Sequence, residues 1–396
     1  MTSMLSGSGV NGNGWVRSRV GAGVTTSTGP LLFQPLTLRQ TTFRNRIWVA
    51  PMCQYSVTEQ NGIPTDWHLV HLGARAQGGF GLVLTEATAV VPEGRISPQD
   101  TGIWNDEQTQ AWARITAFIA GQGSRSGIQL AHAGRKASTH RGFPGEPTGP
   151  APASDGGWEP VGPSPVAFAG LVTPHEMSPT DLDDTVEAFV AATRRALTAG
   201  FDVVELHAAH GYLLHQFLSP LSNTRTDAHG GDFDGRVAFP LRVVDAVREA
   251  WPSDRPLFVR LSATDWAPGG WDLDQTVRLS RSLREHGVDL VDVSSGGNVS
   301  ADIPVGPGYQ VPFSARVRAG AGIPTGAVGL ITEPDQAERV LADGEADAVL
   351  LARATLREPA WPLRAASELG LTWREAPYPP AYVRGRWDDA PARVRP

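Results

Sequence analysis

Two histidines three residues apart, with a tyrosine just beyond, stand out first: His207-Ala208-Ala209-His210-Gly211-Tyr212. One chemistry open to the pair is metal binding. Zinc needs further ligands, and the nearest candidate, Glu205, is expected on the opposite strand face from His207. The other chemistry is hydrogen bonding, in which two imidazoles aimed at one substrate oxygen polarise a carbonyl or nitro group. Tyr212, with an ordinary pKa of ~10, suits proton donation to a basic, enolate-like carbon. For each residue alone a structural hydrogen bond explains as much; their convergence favours a site.

A second set could hold phosphate. Thr325-Gly326-Ala327-Val328-Gly329 offers a glycine that lets backbone approach an anion, and Ala352-Arg353 offers a guanidinium fork. A tight turn and a solvated arginine explain that pair equally when it is taken alone. Cys53, in Pro51-Met52-Cys53-Gln54-Tyr55, is the single cysteine. That count excludes a disulfide framework and a four-cysteine iron–sulfur cluster, and fits a reducing, cytoplasmic setting. By itself Cys53 reads as a small buried apolar residue. Lys136 is the one lysine among 34 Lys and Arg, a sign that its position needs an ammonium.

These residues need a scaffold that gathers them. Near-continuous apolar runs at 47–50, 82–85, 128–131, 201–206, 257–261, 290–293, 324–328 and 348–351 read as parallel strands covered outside by helices. Helical stretches follow at 66–76, 106–121, 178–198, 235–250, 272–286, 313–319, 333–343 and 359–369. Ser178 is placed as the N-cap of the third, with Pro179 at its first position and Gly200 after its last turn. Eight alternations predict an α/β fold, a (β/α)8 TIM barrel, and no G-x-G-x-x-G follows an early strand to favour a dinucleotide fold. In such a barrel the site lies where strands end, and Cys53, Lys136, His207, His210, Tyr212, Gly329, Ala352 and Arg353 each follow one.

The barrel is expected as a single domain over 31–370. The Gly- and Pro-rich stretch 137–176 after the third strand, carrying Trp158 and Phe168, is expected to be an ordered lid. Residues 1–30, rich in Gly, Ser and Thr and without a signal-peptide apolar core, are expected to be a disordered tail. With 41% hydrophobic residues in 396 the chain can bury a large core. A net charge of -7 without basic blocks argues against nucleic acid, and no apolar run nears the ~20 residues of a membrane span.

The motifs together resemble the old yellow enzyme family of FMN-dependent ene-reductases, in particular its bacterial thermophilic-like subclass. Ala50 to Tyr55, Gln129 to Lys136, His207 to Tyr212 and Phe217 to Asp227 carry the resemblance, which extends from about Leu31 to Trp387. It implies an FMN whose pyrimidine edge is held by Gln129 and Arg260, where a guanidinium stabilises charge developing at N1 and O2. It implies that Pro51, Met52 and Ala87 line the ring, and that Cys53 sits near N5 and tunes the potential. Gly329, Leu330, Ala352 and Arg353 would bind the phosphate. His207 and His210 would anchor the acceptor oxygen, Tyr212 would give the proton, and Tyr55 and Lys136 would line the substrate site.

NADPH or NADH is the implied hydride donor, and an enone or nitroalkene the implied small-molecule substrate. The ending 371–396 is implied to form a subunit interface in a homodimer or dimer-based tetramer, with Arg384 reaching the neighbouring site and Arg386 as rival. Ala352 departs from the glycine common there, though its N–H remains. Four rivals stand beside this reading: a dienoyl-CoA reductase relative, for which cysteines and length are lacking; a biosynthetic desaturase; a non-catalytic flavin-binding sensor; and a flavin-free aldolase-like barrel.

Overall fold

The computed structural model describes residues 29–387. The tail expected to be disordered lies outside them except for its last two residues, and so do the nine residues after Trp387. Eight parallel strands close on themselves: β1 (Ile47–Val49), β2 (Leu82–Ala89), β3 (Arg125–Ala131), β4 (Val203–Ala208), β5 (Leu257–Ser262), β6 (Leu290–Ser294), β7 (Thr325–Ala327) and β8 (Ala348–Leu351). β8 returns to β1 with Leu350 opposite Trp48. Helices α1 (Asp66–Gln77), α2 (Asp106–Gly121), α3 (Pro179–Thr198), α4 (Phe233–Ala250), α5 (Leu273–Glu285), α6 (Val311–Ala321), α7 (Pro334–Ala342) and α8 (Trp361–Glu368) alternate with them. The (β/α)8 barrel is therefore the architecture observed.

Strand alternation sorts the side chains into two cores. Outward-facing Val204, Leu206, Val259, Leu261, Val291 and Val293 join helix residues such as Phe189, Val243 and Leu279 in one large cluster. Inward-facing Trp48, Leu82, Leu84, Val203, Phe258 and Leu290 form a second at the start of the strands. A hairpin, Leu36–Leu38 with Thr41–Phe43, closes that end. Its Phe43 ring lies 4.8 Å from Trp48, which stacks on Phe258 at 5.7 Å. Trp48 is fully buried, and its Nε1 donates to Asn45 O. Trp48→Ala is therefore expected to cost about 3–5 kcal/mol of stability, read by chemical denaturation; a loss below about 1 kcal/mol would mean this floor is not a close-packed core.

Several boundaries differ from the sequence expectation. β4 starts at Val203 because Phe201 still closes the turn after α3, its N–H donating to Ala196 O behind Gly200 at φ 85°. It runs on to Ala208 because β5 keeps pairing with it, His207 opposite Arg260. The helix expected over 359–369 is α8, Trp361–Glu368, and a short helix, Arg353–Arg357, precedes it, ending before Pro359, which lacks an N–H. The hairpin strands and the helix Leu213–Leu218 are too short for periodicity to reveal. At α3, Ser178 and Asp181 form the expected cap as a reciprocal pair.

The stretch 137–176 lies over the strand ends. Trp158 Nε1 donates to Glu93 O at 2.8 Å, and the Arg95 guanidinium covers its ring. Arg135 donates to Val166 O, and Phe168 lies 4.7 Å from Lys136 Nζ. Short strands Val161–Gly162 and His175–Glu176 close the base of the stretch.

Candidate functional site

Above the apolar floor the barrel interior changes character, one layer at a time. β4 presents Val203, Glu205 and His207 inward; β5 presents Phe258, Arg260 and Ser262; β6 presents Leu290, Asp292 and Ser294. Glu205 thus shares the face of His207, contrary to expectation, because residues two apart in a strand point the same way. It accepts from Gln129 Nε2 at 2.8 Å. No metal set results: among the described residues no three His, Cys, Asp or Glu side chains gather as a metal would need.

His207, His210 and Tyr212 meet at the strand ends. The His207 ring lies 5.1 Å from His210 and 5.0 Å from Tyr212. His207 Nε2 and His210 Nδ1 are 3.4 Å apart and hydrogen-bond each other; an acceptor atom that engages both would take the place of that bond. His207 Nδ1 is buried without a partner, so the proton of the neutral ring belongs on Nε2, facing the site. Burial, then the Arg260 charge, pushes both imidazoles well down. They are neutral near pH 7 and can donate without carrying charge. Burial likewise pushes the Tyr212 phenol well up, so it keeps its proton.

Neighbouring groups fix this loop. Gly211 N–H donates to His215 Nδ1, and His215 Nε2 lies 3.0 Å from Asp265 Oδ1, both side chains fully buried. Lys136 Nζ donates to His210 O and Gly297 O, at 2.8 and 3.0 Å, and stands 5.0 Å from the Tyr212 ring. Two of the three ammonium donors thus serve backbone; burial, then Arg135, pulls its pKa down to about 8. Among the described residues seven non-glycine residues adopt positive φ, and three of them, Tyr55, His210 and Leu330, were singled out from sequence. Such strain concentrates where function requires it.

Cys53, Tyr55, Ala87 and Tyr212 pack in one group on the β2–β3 side. Glu86 holds the segment from Pro51 to Tyr55 in place: Oε2 accepts from Gln54 N at 2.7 Å, and Oε1 faces His68 Nε2 at 2.9 Å. Burial, then Asp100 and Glu86, pushes the Cys53 thiol up. On the opposite side a cavity of about 220 Å³ is lined by Ser294, Tyr309, Gln310, Gly329, Ala352 and Arg353 among others. Gly329 has φ 122°, and a Cβ there would meet Gln310 Nε2 at 2.9 Å. Ala352, at φ -108°, has no need of glycine. Ser294 joins the two halves, its Oγ 2.7 Å from His210 Nε2. Arg384 is not gathered with the rest; it is exposed, in the turn Pro380–Gly385.

Sequence reasoning missed Glu86, Asp292, His215–Asp265, Tyr309 and Gln310. A charged residue inside an otherwise apolar strand was the available signal for Glu86 and Asp292.

The sequence model of the NADH:flavin oxidoreductase / NADH oxidase family matches residues 31–372. The chain belongs to that family. Relatives include the NADPH dehydrogenase of Geobacillus thermodenitrificans, 49% identical over 90% of this chain and 98% of its own. The NADPH dehydrogenase of Bacillus subtilis is 45% identical over 89% and 98%. Among solved structures, the old yellow enzyme homologue from Zymomonas mobilis superposes with TM-score 0.72 at 27% identity, over 92% of this chain and 100% of that one. The protein is thus an NAD(P)H-dependent FMN oxidoreductase of the old yellow enzyme type. The family's cofactor fits this mouth: a glycine cradle beside a guanidinium at one end, and at the other Arg260, whose Nη atoms bond no described residue. No described helix is long and apolar enough to cross a membrane.

Proposed function

We propose that this protein is an ene-reductase, reducing the carbon–carbon double bond of α,β-unsaturated carbonyl or nitro compounds. The observation that carries the reading is the convergence of two neutral imidazoles, His207 buried and His210 half-buried, and one protonated phenol, with the His207 ring about 5 Å from each of the other two. FMN, when bound, supplies the two-electron chemistry, taking hydride from NADPH or NADH and giving it to the β carbon. Gln129 and Arg260 hold its pyrimidine edge, and Gly329, Leu330, Ala352 and Arg353 hold its phosphate. Pro51, Met52, Cys53 and Ala87 line the ring. Negative charge grows on the acceptor oxygen during the reaction, and His207 and His210 donate to it there. Tyr212 protonates the α carbon. Lys136 ties down backbone with two of its donors and lines the substrate site beside Tyr212.

Residues 137–176 act as the lid of a single-domain barrel, with Phe168 and Trp158 as its anchors. Arg384, exposed on this chain, reaches the mouth of a second copy in a homodimer or dimer-based tetramer. A sensor is disfavoured by Cys53, because burial and nearby carboxylates keep it a thiol, whereas reactive cysteines are thiolates.

Labelling tests the reading. With nicotinamide deuterated at C4 and cyclohexenone as acceptor, the label is expected at the β carbon, and solvent deuterium at the α carbon. Label at the carbonyl carbon would replace alkene reduction by carbonyl reduction. The phosphate assignment has its own test. Arg353→Met is expected to weaken FMN binding about 10- to 100-fold, the ~1.5–3 kcal/mol of a charge-assisted bond, in fluorescence titration of the apoprotein. An unchanged Kd would take Arg353 out of the phosphate site.

A further inference from the structure

One layer below His207, the barrel holds two carboxyl groups and one guanidinium away from water. Glu205 and Asp292 are both 0% exposed, and Arg260 is nearly buried. Arg260 Nε stands 2.9 Å from Asp292 Oδ2. Glu205 Oε1 receives only the neutral amide of Gln129, and Glu205 Oε2 is buried with no partner. The groups facing Glu205 are Gln129 from β3, His207 above it on β4, Arg260 from β5 and Asp292 from β6. Beneath lies the apolar floor of Trp48, Leu84 and Phe258. With both carboxyls ionised, one guanidinium faces two charges, and an uncompensated buried charge is costly.

Reduction of the cofactor adds to that imbalance. A hydride brings two electrons and one proton, so the reduced flavin gains one negative charge, which Arg260 is placed to face. We propose that Glu205 is a redox-linked proton acceptor, taking one proton from solvent when the flavin against Arg260 is reduced. The balance is two electrons and one proton to the flavin, with the nicotinamide C–H bond breaking, and a second proton from solvent forming an O–H bond on the Glu205 carboxylate. Neither Asp292 oxygen makes a hydrogen bond, but Asp292 is the poorer acceptor because the Arg260 charge lies directly against it, Nε 2.9 Å from Oδ2, as an ion pair. Burial, then Asp292, already pushes Glu205 up, with Arg260 opposing. The inference rests on the reading that the pyrimidine edge lies against Arg260.

Spectroelectrochemical titration of the holoprotein between about pH 6 and about pH 9 counts the protons. Each proton taken up with two electrons changes the reduction equilibrium tenfold per pH unit, about 30 mV, and two change it a hundredfold, about 59 mV. The potential falls as pH rises, because the reduced state binds more protons. Wild type is expected to approach the two-proton slope over part of this range, and Glu205→Gln to keep the one-proton slope throughout. Equal slopes in the two proteins overturn the proposal. If Glu205→Gln fails to hold FMN, redox difference infrared on wild type decides: a protonated-carboxyl band arising on reduction supports the proposal, and no such band overturns it. Arg260→Lys is the control for cofactor placement. A potential unmoved by that change would refute the placement itself, a failure distinct from a missing proton.

Discussion

Replacing His207 and His210 together by alanine is expected to slow cyclohexenone reduction by about 10²- to 10³-fold or more, the usual cost of removing donors aimed at a developing oxyanion. The two nitrogens that face each other at 3.4 Å come from one strand end and one left-handed turn. Cofactor content should survive, because the cavity around Gly329 and Arg353 lies on the other side of Ser294. Single variants should lose less, since one donor remains. Anaerobic turnover together with flavin content reads both effects. Unchanged turnover in the double variant would remove the pair from the reaction.

Tyr212→Phe keeps the ring that packs beside His207 and Lys136 and removes only the hydroxyl. Reoxidation of the reduced protein by enone is expected to fall about 10²- to 10⁴-fold, the range for a positioned general acid, while reduction by NADPH stays unchanged. Nitroalkenes should suffer less, because the nitronate they form is stable enough to leave and take its proton from water. Rapid mixing of the two half-reactions separately makes the comparison. The sign of the pH effect also follows. Burial raises the Tyr212 pKa above its ordinary ~10, so loss of the donor by ionisation begins above that value and not below it. A rate that falls along a tyrosine ionisation near pH ~8 would contradict the buried phenol.

Much of the barrel was legible because parallel strands covered on both faces are largely apolar, and runs such as 47–50 and 348–351 show nothing else. The histidine pair and Tyr212 were legible because strand ends carry the site in this fold. Glu205 was misplaced for a local reason: strand period was misapplied over two residues, and correct alternation puts it beneath His207. The charged layer as a whole was less accessible. Asp292 meets Arg260 only because β5 and β6 pair in that register, and no local pattern encodes cross-strand register. Lys136 shows a further limit. Its type hinted at an ammonium, but that the ammonium serves the carbonyls of His210 and Gly297 depends on two loops far apart in sequence. The short hairpin under the floor escaped because three-residue strands carry too little periodicity.

The visible absorption spectrum of the purified protein, recorded before and after anaerobic NADPH and again after cyclohexenone, tests the central claim most directly. The account predicts a bound-flavin spectrum that bleaches with NADPH and recovers with the enone. A flavin that bleaches and stays bleached would contradict ene-reduction, and a protein that remains colourless after FMN is supplied would contradict the cofactor site itself.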